Sequence, residues 1–239
     1  MTSTTRAPRS VRRRLRPTWR PAVLVLPAGL GLLATGCFYD EEGSGDLATV
    51  RYSDLDDVDI TGISVLDDLD VAVLVDPSLT QSARVTIDDN LLDRGYASLD
   101  DGVLTVGFDG LGHIDPSETP HVELTVHSLD TIENHGDGKL VVAGFDGGSV
   151  DVVNTGDGTV AALGAVDRVE VSASSAGRVD LSRLAAGSVE LDDTDDGDLA
   201  VYATDTIEGE ISGDADVVVY GDPTETDVDL DADGALVTS

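Results

Sequence analysis

The sequence predicts an all-β chain folded as a single-domain β-solenoid, similar to a parallel β-helix, with coils of about 19 residues. Three observations predict it. First, a turn recurs at Gly138, Gly158, Gly177, Gly197, Asp216 and Gly234, with successive spacings of 20, 19, 20, 19 and 18 residues. A fixed period in this range marks stacked repeats. Second, apolar residues alternate with period two and nowhere sustain the 3.6-residue period of a helix. Third, an apolar–acid–apolar triplet precedes successive turns, as in Val150-Asp151-Val152, Val169-Glu170-Val171, Val189-Glu190-Leu191 and Val228-Asp229-Leu230.

The elements follow in chain order. Val71–Val75, Ala83–Ile87, Val103–Val106 and Val122–Val126 are β-branched stretches bounded by Asp, Gly, Pro or Ser, and each reads as a strand. Asn90–Asp93 is a single helical turn, too short to stand alone. From about residue 130 each repeat adds a strand before its turn and another after it. The strands after the turns are Leu140–Val142, Val160–Ala162, Val179–Leu181, Leu199–Val201 and Val217–Val219. Alternation is expected to place Val and Leu on one face and the acids on the other. Asp-Gly turns also suit hairpins, so an antiparallel meander is the local alternative. A meander needs no constant spacing, whereas coils stacked in register do, and the spacing selects the solenoid. Six coils at about 4.8 Å each would make a rod of roughly 30 Å. Residues 51–239 form the domain, with the repeat region at about 130–239, and residues 50–129 are expected to cap one end.

Charge divides the chain. Seven Arg and no acid lie in the first 20 residues, and the net charge from residue 37 onward is 7 − 47 = −40. Such a body repels phosphate backbones, which argues against nucleic acid as a partner. Residues 1–36 read as an export signal: a basic segment to Arg20, an apolar stretch from Pro21 to Gly36, then Leu33-Ala34-Thr35-Gly36-Cys37. Small residues before a cysteine resemble a bacterial lipoprotein signal, with Cys37 as the lipid attachment site and the chain held to the outer face of the membrane. The alternative is an uncleaved apolar helix, at the short limit for spanning a bilayer. Cys37 is the one cysteine, so no intramolecular disulfide forms. Residues 37–50 are expected to be a flexible acidic tether.

No reactive centre emerges. None of the 47 acids is singled out as a catalytic pair by a neighbouring His or base. His113, His121, His127 and His135 are spaced by eight, six and eight residues, which fits no zinc pattern. Neither a catalytic residue nor a cofactor is assigned. Calcium is the one metal to consider. Asp137, Asp157, Asp195, Asp196, Asp214, Asp216 and Asp233 lie at or beside the turns, and stacking would set them in a column. Asp151, Glu170 and Glu190 would stack in a second column on one face. Like charges so placed repel, and bound Ca²⁺ would offset them. Turn-forming Asp-Gly pairs screened by salt account for the same residues without a metal.

The segments Asp89-Asn90-Leu91-Leu92-Asp93 and Asp101-Gly102-Val103-Leu104-Thr105-Val106 resemble the core of the putative auto-transporter adhesin, head GIN domain family. So do Val122–Val126 with Leu129 and Ile132, the repeated Gly-Asp-Gly turns, and the closing Val219-Tyr220-Gly221-Asp222-Pro223. The resemblance spans residues 55–239. This chain departs from it in its Asp enrichment and at Asn134-His135-Gly136. The resemblance implies an exported cell-surface β-solenoid, often tethered to a membrane, with no known enzymatic activity. The sequence thus points to a non-enzymatic surface or envelope lipoprotein whose ligand it does not identify. A cation-binding structural protein is the second possibility, and an enzyme acting on polysaccharide is the third.

Overall fold

Parallel pairing of strand on strand organises the chain. The computed structural model describes residues 41–52, 55, 57–108, 113–194, 197–212, 215–230 and 235–238. The chain enters through β1 (Glu41–Glu42) and β2 (Leu47–Tyr52), then makes a first coil of β3 (Gly62–Val65) and β4 (Asp70–Val75). It leaves the stack through β5 (Ser82–Asp88), a 3-10 turn (Asp89–Arg94) and β6 (Gly95–Asp100), and returns as β7 (Val103–Phe108), β8 (Ile114–Asp115) and β9 (His121–Val126). The regular repeat follows as β10 (Thr131–Asn134), β11 (Lys139–Asp146) and β12 (Ser149–Asn154). Next come three long strands that each serve two faces: β13 (Thr159–Ala173), β14 (Arg178–Thr194) and β15 (Leu199–Ile211). β16 (Asp216–Gly221), β17 (Glu225–Leu230) and β18 (Ala235–Thr238) complete it.

Two parallel ladders form the solenoid. The first face runs β7, β3, β10, β12, the second halves of β13, β14 and β15, then β17. The second face runs β9, β4, β11, the first halves of β13, β14 and β15, then β16 and β18. The stack is therefore not in chain order. The earlier coil, β3 with β4, is inserted between the β7–β9 coil and the β10–β11 coil. The link from β9 to β10 has to step over it, and the amides of Asp130 and Thr131 both bond the carbonyl of Thr61 as it does so.

Residues 50–129 thus do more than cap an end: they supply two coils as well as the cap. The cap is antiparallel. β5 pairs with β9 and then with β2, which extends one face, while β6 pairs with β7 and extends the other. The expected tether shortens accordingly. β2 begins at Leu47, and the amide of Gly45 is bonded to the buried carboxylate of Asp88, so the folded domain starts earlier than residue 51.

The interior is a column of small branched side chains, among them Val65, Leu140, Val150, Val171, Val201 and Ile211, all fully buried. Among the described residues Phe145 is the one buried aromatic of this core, with Phe108 partly buried against it. At one corner two asparagines replace the apolar residues. Asn134 donates to Asn154 Oδ1 at 3.0 Å and to the carbonyl of Gly136 at 2.9 Å, both buried. Asn154 in turn donates to the Gly158 carbonyl.

The turn glycines owe their identity to the stack rather than to turn geometry. None of Gly138, Gly158, Gly177 and Gly197 has a positive φ. A Cβ on Gly158 would lie 2.1 Å from the carbonyl oxygen of Gly138, and one on Gly197 would lie 2.1 Å from that of Gly177. Each turn rests directly on the backbone beneath it. Gly158→Ala should therefore cost about 2–3 kcal/mol by overpacking, read as a melting temperature lower by roughly 5–10 °C. Gly95→Ala is the control: its nearest contact would be 3.5 Å away and its φ is −61°, so it should leave the melt unchanged or slightly raised.

Candidate functional surfaces

The two ladders turn unlike surfaces to solvent. On the first face the predicted column exists and is longer than expected. Asp151, Glu170, Glu190, Glu208 and Asp227 are successive register partners, so their side chains project from strands about 4.8 Å apart. Arg168 offsets part of this charge: its guanidinium pairs with Glu190 and lies 3.8 Å from Glu170. The remainder is exposed, where water and salt weaken the repulsion.

At the turns, three carboxylates are bonded to the backbone. Asp68 Oδ1 accepts the amide of Asp137 at 2.8 Å, and Asp137 Oδ1 accepts the amide of Asp157 at 3.2 Å. Asp70 Oδ1 likewise accepts the amide of Lys139 at 3.1 Å. Each carboxylate caps an amide of the coil stacked above it. Asp216 is exposed at the start of β16. Asp195, Asp196, Asp214 and Asp233 lie outside the described residues, as do Cys37 and the whole leader. Among the described residues no three carboxylate or imidazole groups converge to hold a metal ion.

The histidines are scattered. His135 Nδ1 bonds Thr155 Oγ1 at 2.6 Å, His127 Nε2 lies 2.8 Å from the carbonyl of Leu79, and His121 is exposed on β9. The carbonyl of His113 accepts the amide of Glu41.

On the second face the expected alternation fails. Ala72, Val141 and Ala161 are register partners that project outward, followed past Asp180 by Ala200, Val218 and Val237. Leu74, Ala143 and Leu163 stack beside them at one end, and Tyr202 with Tyr220 at the other. An apolar strip thus runs along an otherwise acidic molecule, with Leu74 41% and Val237 50% exposed at its ends and Ala161 and Ala200, 8% exposed, on either side of Asp180. Lys139 and Arg178 border it through their shared partner Thr159. Asp180, the acid within the strip, is held in place. Burial pushes its pKa up, but Ser182 Oγ–H, the Ser182 amide and the nearby Arg178 and Arg183 outweigh that and lower it.

A family model for "putative auto-transporter adhesin, head GIN domain" matches residues 59–223. The chain belongs to that family. The solved structures it resembles include a putative adhesin from Bacteroides fragilis, with a TM-score of 0.59 at 16% identity, covering 83% of this chain and 99% of that one. A putative lipid binding protein from Parabacteroides distasonis has a TM-score of 0.51 at 17% identity, covering 84% of this chain and 100% of that one. A putative adhesin from Parabacteroides merdae gives the same score, identity and coverage. At these identities the structures share the fold and nothing finer. No curated protein matches the chain.

Within this head GIN domain, sequence reasoning missed the residue that fastens the cap. Asp88 is fully buried. It accepts Ser117 Oγ–H at 2.6 Å, the Gly45 amide at 2.8 Å and the Ser117 amide at 2.9 Å. Three separate segments meet at this carboxylate. The hydrogen bond from Ser117 Oγ and the two amides hold its pKa below the usual carboxylate range, against the opposing effect of burial. A lowered folded value means that its stabilisation is complete above the unfolded pKa of about 3.9 and is lost as pH falls through the lower folded value. Asp88→Asn should therefore melt earlier at neutral pH, and its melting temperature should fall less steeply than wild type on acidification below about pH 4. Thermal melts across that range provide the check.

Proposed function

We propose that the chain is a non-enzymatic surface module, held to the outside of the cell membrane through Cys37, that adheres by the apolar strip of its second face. The strip carries this reading. In a chain of net charge −33, outward side chains kept apolar along successive coils need a reason other than solubility. Extended patches of this kind mark contact surfaces, and solenoids present them as long flat faces. Membership of an adhesin-named family supports the same reading. The ladder of carboxylates opposite keeps the molecule soluble and prevents that side from associating with its own kind. The partner is a surface or envelope component that offers an apolar or aromatic face, with Lys139 and Arg178 favouring an anionic border on it.

One assay tests both parts. Cells displaying the chain are scored for adherence to immobilised envelope and matrix components. The double variant Val141→Asp/Val218→Asp should lower adherence by roughly tenfold or more, with a melting temperature close to wild type because both positions face outward. Glu170→Gln/Glu190→Gln should adhere like wild type. Cys37→Ser should release the protein into the medium and abolish labelling by a fatty-acid analogue. Undiminished adherence of the double Asp variant would remove the strip from the account, and membrane retention of Cys37→Ser without label would replace the lipid anchor by an uncleaved helix.

A further inference from the structure

The capped end of the solenoid holds a second feature of different chemistry. There the two faces continue as antiparallel extensions that do not meet: β2 and β6 are the opposite ends of one strand path. Register fixes which side chains turn inward. Tyr52 and Val50 stand in line with Ala83 and Val85, and through them with Leu124 and Val122 of the core face. Across the gap Ala97 stands in line with Val106, whose neighbour Phe108 closes the far wall. The space between is a cavity of about 260 Å³. Among the described residues no charged side chain lines it. Tyr52, 37% exposed, stands in the lining with its ring partly in solvent, whereas Tyr96 lies on the opposite side of β6 from Ala97 and donates its hydroxyl to Ser98 Oγ at 2.8 Å.

We propose that this chamber binds the hydrocarbon chain of a single-chain lipid whose head carries no negative charge. Four observations select that ligand. The lining side chains are hydrocarbon apart from the tyrosine hydroxyl, which suits a hydrocarbon guest that needs no hydrogen-bond partner. A dry apolar cavity of about 150 Å³ already takes up benzene, so one of this size is ample for an apolar guest. At about 260 Å³ it is less than twice the size of that benzene site, which suits one short chain. Tyr52 is apolar in body and polar at the tip, which suits it to the boundary between chain and head group. An anionic head is disfavoured by the chain's net charge of −33.

The test uses the whole chain and monodecanoylglycerol below its micelle concentration, followed by native mass spectrometry and calorimetry. Saturable one-to-one binding is expected. Ala97→Trp and Val85→Trp each fill the chamber from one wall and should weaken binding by roughly tenfold or more. Thr86→Trp, on the outward side of β5, should bind like wild type. Decanoate should bind more weakly, with the gap narrowing as salt screens its charge. Three results would overturn the proposal: no saturable binding by wild type, equal binding by both filled variants, or a doubled mass showing that a second copy covers the mouth instead.

Discussion

Everything in this molecule depends on how closely one coil sits on the next. The ladder hydrogen bonds fix the strand separation, and at the turns that separation leaves no room for a side chain between two backbones. Gly158 over Gly138 and Gly197 over Gly177 are contacts of glycine on carbonyl. The near-constant spacing of the repeat has the same origin. A coil longer or shorter by a residue would slide the inward valines out of line with those below, since side chains alternate sides along a strand. The bulges in β11, β13 and β14 absorb the small departures that do occur.

Close stacking also concentrates like side chains, and the fold manages each column differently. Inward columns of valine and leucine become the core. Asp68, Asp70 and Asp137 each accept an amide from the coil above, so these carboxylates satisfy backbone donors of the turns. Arg168 and the solvent offset the carboxylate column of the first face. The second face keeps one outward column mostly apolar, and the acid within it, Asp180, lies beside Arg178 and Arg183. A fold that repeats its side chains every coil makes a charged stripe and an uncharged stripe with equal ease, and the difference between the two outward sides is where a function can reside.

Much of this was legible in the residues. The glycine spacing announced the stack, and Val150-Asp151-Val152 with its successors announced the carboxylate column. The single helical turn at Asn90–Asp93 is present as the 3-10 turn Asp89–Arg94, with Leu91 buried beneath it. Other parts were not legible, for physical reasons. Insertion of the β3–β4 coil leaves no local mark, because pairing of Ile63 with Ile132 is a long-range choice that neither segment encodes alone. The apolar strip was visible as the unbroken runs Leu140-Val141-Val142 and Val217-Val218-Val219. Such runs characterise parallel strands covered on both sides, and the alternation of neighbouring strands obscured that meaning. Asp88 looked like one acid among many, and only the meeting of Gly45, Ser117 and β5 around it gives it a role. The asparagine pair did leave a signal, in the 20-residue spacing of Asn134 and Asn154 at equivalent strand ends.

The central claim is that each repeat advances the stack by one strand on the first face. Spin labels on cysteines replacing Asp151 and Asp227, with Cys37→Ser in the background, test it by pulsed dipolar spectroscopy. These positions lie four strands apart along one column, so the account predicts a backbone separation of about 19 Å at about 4.8 Å per strand. An antiparallel meander would advance two strands per repeat, and a separation of about 38 Å would contradict the account.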